Sequence, residues 1–217
     1  MDAILFTHYK PLSDPVTRKH LILFKALNPD AEVIPLKFEA GRNDSDWQWR
    51  NCDLLVYEWF TRTNPKHERI FIFEWDTFCT MPVKEFYGEA YNYAATAANI
   101  VKPWLDDKMP TDNPLGQETM RTWLWLPQNC SEEIRPYIRG MVPTCGSMFS
   151  NEALRGMVEL WKTVDGFADL FCECRLGTLA CMAGYEPRQI SPEAKKFLAF
   201  YDVGMETVRG IHHRVRA

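Results

Sequence analysis

The feature that most limits the fold is a pair of short, nearly unbroken apolar runs, Ala3-Ile4-Leu5-Phe6 and Ile70-Phe71-Ile72-Phe73. A strand with one wet face alternates apolar and polar residues, whereas a strand covered on both faces does not. Such runs predict buried strands in a mostly parallel sheet flanked by helices, an α/β architecture. The first run empties into Thr7-His8-Tyr9-Lys10, Pro11 and Ser13-Asp14-Pro15, which reads as a loop. From Val16 onward, Leu23, Phe24 and Leu27 recur at helical spacing until Asn28-Pro29-Asp30 stops the helix. A second strand is expected from Glu32 to Phe38, and the runs Asp53 to Trp59 and Arg69 to Asp76 read as two more.

Further along, Tyr87 to Val101 fits either a strand pair or a helix, and the stretch from Pro103 to Gln117, with Asp106, Asp107, Pro110 and Pro114, is loop-like. Ser131-Glu132-Glu133 resembles a helix start, Gly140 to Ser150 a strand, and Asn151 the cap of a helix running to Lys162. Leu170, Cys174, Gly177 and Cys181 form one stripe of a helix expected from Ala168 to Ala183, stopped at Gly184. No internal repeat or linker divides the 217 residues, so one domain spanning 1–217 is expected.

Charge narrows the function. The 25 basic and 29 acidic side chains give a net charge of −4, and the basic ones are scattered except in the tail. Phosphate-backbone affinity needs a basic face, so a nucleic-acid partner is not expected. No apolar stretch is long enough to span a membrane, and no basic start precedes a cleavage site, which predicts a soluble cytoplasmic protein. The abrupt tail leaves room for the chain being one domain of a longer polypeptide. The seven cysteines are expected to be reduced and mostly buried, Cys172, Cys174 and Cys181 included.

The sharpest chemical feature is Glu74-Trp75-Asp76-Thr77, where an apolar strand runs out. Ligands of α/β sheets bind outside the carboxyl ends of strands, and acids two apart on an extended chain point the same way. Such a pair suits a hard divalent cation, Mg²⁺ or Mn²⁺, that shares its remaining positions with phosphates. Solvated acids at a strand end are the plainer reading of the triplet alone.

Several motifs in order raise the metal reading. The layout resembles the nucleotide-sugar-dependent glycosyltransferases of the GT-A fold, with a single Rossmann-like domain. Thr7-His8-Tyr9 is similar to that family's nucleotide-binding edge, and Glu74-Trp75-Asp76 to its Asp-x-Asp metal motif with Glu in the first place. The segment Cys145 to Leu154 is similar to its strand-turn-helix beside the donor sugar, and Phe171 to Tyr185 to its acidic helix with a Gly-aromatic turn. The compact size resembles the small chlorella-virus-type members, which would place the protein in the host cytoplasm.

The resemblance implies a nucleotide-binding half over about 1–100 and an acceptor-binding half over about 101–217. It implies a metal on Asp76, with Glu74 either a second ligand or a partner of the ribose or of a water on the ion, and with His212 or its neighbour His213 as a C-terminal ligand. Thr7, His8, Tyr9, Lys10, Glu74, Trp75, Asp76, Gly146, Ser147 and Arg175 would surround a nucleotide-sugar donor, with UDP the expected nucleotide. Arg175 pairing with a helix acid is the more ordinary role for that residue. Lys10, Arg18 and Arg62 are candidates for diphosphate contacts, and Arg209, Arg214 and Arg216 for a basic lid, with plain surface charge the competing account. Glu173, or Asp169 in its place, would be the catalytic carboxylate, acting as general base or holding the sugar.

The implied reaction moves a hexose or deoxyhexose to a glycan or glycoprotein. Trp47 with Trp49, Trp123 with Trp125, and Trp59 and Trp104 divide between core packing and sugar stacking. Two alternatives compete: a carbohydrate-binding module without catalysis, and a sugar-phosphate nucleotidyltransferase. The latter is weakened because no Gly-rich phosphate loop follows the first strand.

Overall fold

The structure, a computed structural model, describes residues 1–39, 45–97, 131–138, 142–168, 170–190 and 209–213. Strands β1 (Asp2–Thr7), β2 (Ala31–Leu36), β3 (Arg69–Glu74), β5 (Ala95–Ala97), β6 (Ser147–Ser150) and β7 (Arg188–Gln189) make a six-stranded sheet in the order β2-β1-β3-β6-β5-β7. Strand β1 is parallel to β2 and β3, β5 is parallel to β7, and β6 runs antiparallel to both neighbours. The mostly parallel α/β sheet flanked by helices agrees with the sequence reading.

The two apolar runs behave as both-faced strands because alternate residues serve opposite cores. Ala3, Leu5, Ile70 and Ile72 pack with α3 (Asp53–Thr63), α5 (Asn151–Thr163) and α6 (Cys172–Met182). Ile4, Phe6, Phe71 and Phe73 pack with Leu21 and Phe24 of α1 (Pro15–Leu27) and with Val83, Phe86 and Tyr87 of α4 (Val83–Tyr87). Burying each of the Ile, Leu and Phe side chains is worth about 1.5–3 kcal/mol, so a one-residue slip would move every contact to the wrong core. Pro35, which donates no ladder bond, sits in β2 at the sheet edge, where that loss is tolerated.

Four local expectations change. Asp53 to Trp59 is the start of α3, not a strand: Asp53, Val56, Tyr57 and Phe60 are buried at helical spacing, and Asn64 ends the helix at φ 43. A helix covered on most sides gives the same unbroken run as a strand. The cap of α5 is Ser150 rather than Asn151, its hydroxyl accepting from the Ala153 N–H at 3.1 Å. The Ser131 segment forms a turn and a short 3₁₀ helix, Arg135–Tyr137, with Pro136 inside it. Within Tyr87 to Val101, Gly88 at φ 51 ends α4, a 3₁₀ turn covers Gly88–Asn92, and among the described residues the strand is β5.

A second, two-stranded sheet pairs β4 (Phe78–Cys79) with β8 (Ile211–His212), matching Phe78 to His212 and Cys79 to Ile211. Gly210 and Thr80 exchange further bonds of 2.9 and 2.7 Å. This sheet returns the C-terminal segment to the end of β3. The readings for 98–130, Asp169, Arg214 and Arg216, and with them Trp104, Trp123 and Trp125, lie outside the described residues.

Candidate metal centre and nucleotide pocket

Parallel pairing of β1 with β3 puts Thr7 opposite Glu74, so both strands end at one rim. Past that rim the chain turns, with the Thr77 N–H bonding the Glu74 carbonyl at 3.0 Å. The turn is fixed from below by His20 of α1, whose Nδ1 lies 2.9 Å from the Trp75 carbonyl oxygen and whose ring meets Phe78 edge-on. Burial pushes the His20 pKa below the ordinary histidine value, which suits a neutral ring fixed at a backbone carbonyl.

On this turn Glu74 and Asp76 meet His213, the residue just past β8. The His213 Nε2 lies 3.5 Å from Glu74 Oε2 and 3.4 Å from Asp76 Oδ1. Asp76 is 3% exposed, and one ligand atom from each of the three lies within 4.8 Å of the others. Two carboxylate oxygens and an imidazole nitrogen so placed fit a divalent cation of the Mn²⁺ or Mg²⁺ type with positions left for phosphate oxygens. Burial lowers the His213 pKa, but Cys145, Asp76 and Glu74 around the ring outweigh it, and the net direction is upward. Cys145 is also joined to Thr77, its Sγ 3.0 Å from the Thr77 hydroxyl.

The histidine that reaches the acids is thus His213, not His212. Successive side chains of a strand point to opposite sides, and the pairing of His212 with Phe78 turns its own buried ring away from that of His213. The doublet His212-His213 was visible in the sequence, but the register that selects between them was not.

Beside the triad a narrow pocket is lined by Thr7, His8, Tyr9, Glu74 and Trp75 together with Phe38, Trp49, Cys52 and their neighbours. The Thr7 hydroxyl donates to the Phe73 carbonyl at 3.2 Å, and His8 Nδ1 lies 2.7 Å from the Lys10 carbonyl oxygen. Burial lowers the His8 pKa, keeping that ring neutral. Tyr9 stands edge-on to Trp75 at 5.2 Å, and the Lys10 ammonium lies 4.3 Å above the Trp75 ring while approaching Asp14 at 3.9 Å. Phe38, Gln48 and Cys52 were not singled out from sequence, since nothing local marks a residue that reaches a pocket from an adjoining loop or helix start.

Other candidates fall elsewhere. Arg175 is fully buried and serves the core: its guanidinium bonds both Asp53 oxygens at 2.7 and 2.5 Å, the Phe167 and Leu170 carbonyls at 3.2 and 2.9 Å, and the Asn51 side chain at 3.2 Å. All five N–H groups are committed, so none is left for a donor molecule. Its acid lies on another helix rather than its own. Ser147 is fully buried with its hydroxyl donating to the Pro143 carbonyl, and Gly146, at φ 80, donates its N–H to the Ile72 carbonyl while its own carbonyl accepts from the Tyr87 hydroxyl. These two residues shape the turn behind the site. Arg62 is exposed in the last turn of α3, about 15 Å of helix rise from Cys52 at its start, and Arg18 is exposed on α1. Arg209 pairs with Glu85.

Glu173 stands half-buried in the first turn of α6, and its carbonyl accepts the Val142 N–H at 3.0 Å. Its neighbour Cys172 touches Cys52, a residue of the pocket wall, with 3.7 Å between the sulfurs.

No protein-family model matches the chain, and no curated protein sequence matches it. Among solved structures, the fold matches the crystal structure of a glycosyltransferase involved in the glycosylation of the major capsid of PBCV-1, with a TM-score of 0.54 and 9% identity over 100% of this chain and 94% of that one. The chain therefore shares its mixed α/β, Rossmann-like architecture with that enzyme.

Proposed function

We propose that this protein is a metal-dependent glycosyltransferase of the GT-A type, moving a hexose or deoxyhexose from a nucleotide sugar, UDP-linked in the first instance, to a glycan or glycoprotein acceptor. The observation that carries the reading is the convergence of Glu74, Asp76 and His213 beside a pocket at the carboxyl ends of β1 and β3. An overall fold shared with a viral glycosyltransferase along the full chain supports it.

In this reading Asp76, Glu74 and His213 hold the divalent cation, and His8, Tyr9 and Trp75 flank the base and ribose. When bound, the cation supplies Lewis-acid stabilisation of the departing diphosphate, worth several kcal/mol. The chain's own residues do the rest. The neutral His20 anchors the turn that carries both acids, so their oxygens are positioned before substrate arrives. The Lys10 ammonium adds fixed positive charge at the pocket mouth. Glu173 is the carboxylate assigned to the sugar or to the acceptor hydroxyl proton. The nucleotide half, about 1–100, is completed by the returning segment 209–213.

Titration of UDP into the protein with and without Mn²⁺, followed by donor hydrolysis over the common nucleotide sugars, tests this. Metal-dependent UDP binding that disappears in Asp76→Ala is expected. Glycan binding that persists in chelator with no nucleotide affinity would instead favour a carbohydrate-binding module.

A further inference from the structure

Two thiols far apart in sequence meet at the pocket wall. Cys52, the residue before α3, is 8% exposed and lines the pocket; Cys172, the first residue of α6, is 2% exposed. Their sulfurs are 3.7 Å apart across a sequence separation of 120. The Thr144 hydroxyl touches both from one side, 3.3 Å from the Cys52 sulfur and 3.6 Å from that of Cys172, and the Cys172 thiol also faces the Trp49 carbonyl at 3.5 Å. One residue beyond Cys52 and three beyond Cys172, the buried Asp53–Arg175 pair ties the same two helix starts together. A disulfide needs about 2.05 Å between sulfurs, so closing the gap takes about 1.7 Å shared between two side chains.

We propose that Cys52 and Cys172 are an oxidative modification site: a peroxide, or a small-molecule disulfide, joins them into a disulfide that staples α3 to α6 and closes down the adjoining pocket. With a peroxide, the Cys52 sulfur, reached through the pocket, attacks one oxygen. The O–O bond breaks, Cys52 becomes a sulfenic acid, and one water leaves. The Cys172 sulfur then attacks the Cys52 sulfur, the S–O bond breaks, and a second water leaves. Two thiols lose two hydrogens and two electrons, and the peroxide gains them. With a small-molecule disulfide, the Cys52 sulfur attacks one of its sulfurs and one small thiol leaves; the Cys172 sulfur then attacks the Cys52 sulfur of the mixed disulfide and the second small thiol leaves.

Burial holds Cys172 well above the ordinary thiol range. For Cys52 the hydrogen bond with Cys172 is the largest single influence and pulls downward, but burial with the Glu74 and Asp53 charges outweighs it, so this thiol is raised as well. Low thiolate content makes the step slow, so it answers to sustained oxidant rather than to a brief pulse. Drawing the sulfurs together shifts the Cys52 side chain in the pocket wall and pulls the Cys172 thiol from the carbonyl of Trp49, a second wall residue, beside Glu173.

The loss of nucleotide affinity rests on the nucleotide reading of the pocket, whereas formation of the bond does not. The full-length chain is incubated with hydrogen peroxide or oxidised glutathione, digested without reductant and mapped by mass spectrometry. UDP affinity with Mn²⁺ is measured before oxidation, after it, and after reduction with dithiothreitol. A linked peptide joining Cys52 to Cys172 is expected, with affinity falling on the order of tenfold and returning on reduction. Cys52→Ser and Cys172→Ser, each compared with its own reduced state, should lose the oxidant response, and Cys79→Ser should keep it; if one of the first pair fails to fold, the other suffices. Oxidation that leaves these two unlinked overturns the proposal, and linkage with unchanged affinity overturns its effect on the pocket. Linkage in a protein that binds no nucleotide even when reduced upholds the thiol pair and refutes the nucleotide reading instead.

Discussion

Replacing Arg175 with Met should remove a large share of this protein's stability, and the size of the loss follows from the site it leaves. The guanidinium fills a fully buried position with five hydrogen bonds, two of them to Asp53, itself 0% exposed. Methionine matches the stem but supplies no donor. The Asp53 carboxylate and two carbonyls then lose their partner where water cannot replace it, and the partly buried Asn51 amide oxygen loses its partner too. Leaving one member of a buried ion pair uncompensated costs about 3–5 kcal/mol. Against a total stability on the order of 5–15 kcal/mol that is a large share. At roughly 2–4 °C per kcal/mol for a chain of this size, the melting temperature should fall by roughly 6–20 °C.

Urea titration followed by tryptophan fluorescence at pH 7 measures the change directly. The control is Asp53→Leu with Arg175→Met, which removes the charge along with its partner and should recover most of the loss. Arg175→Lys should fall between, because one ammonium cannot span the carboxylate and two carbonyls at once. A loss below about 1 kcal/mol in Arg175→Met, or a double variant as unstable as the single one, would refute a stabilising role for the buried pair.

Four further outcomes are expected. Asp76→Ala should remove the Mn²⁺ dependence of UDP binding in calorimetry, while His213→Ala should weaken metal binding and His212→Ala should leave it largely intact. The raised His213 keeps its proton through neutral pH, so a divalent cation must displace it; calorimetry in buffers of different ionisation enthalpy should detect proton release, with metal affinity rising by up to about tenfold per pH unit. His20 has a folded pKa below its unfolded value of 6.5, so as pH falls below 6.5 the unfolded chain gains a proton that the folded one refuses; stability should drop there, and His20→Gln should flatten that drop in urea titrations at stepped pH. Tyr87→Phe, which strips the hydroxyl donated to the Gly146 carbonyl at 2.7 Å, should cost about 1–3 kcal/mol in the same titration.

How much of this was legible depended on whether one stretch of chain held the whole cause. Strands β1 and β3 were readable because each run carries both faces of a doubly covered strand. The acids were readable because Glu74 and Asp76 sit where such a run ends. The same unbroken pattern misled at Asp53 to Trp59, where α3 is covered on most sides and apolar content alone does not separate helix from strand. What stayed hidden lay in pairings between distant segments. Asp53 with Arg175 and Cys52 with Cys172 join residues 122 and 120 apart, and no local pattern announces either.

The candidate metal centre shows both situations in one place. Thr7 and Glu74 share a rim because β1 and β3 are adjacent and parallel, a consequence of sheet order. The nitrogen donor arrives from near the other end of the chain, and one register decides which histidine supplies it. With Phe78 opposite His212, the side chain that follows turns toward Glu74 and Asp76. Shifting that pairing by a single residue would exchange the two rings, because side chains alternate along a strand. The bonds between Thr80 and Gly210 hold the register in place, so Thr80→Ala, remote from any ligand atom, should loosen the β4–β8 pairing and weaken metal binding while leaving Asp76 and Glu74 untouched. Unchanged metal affinity in that variant would mean that His213 is positioned by something other than the strand pair that carries it.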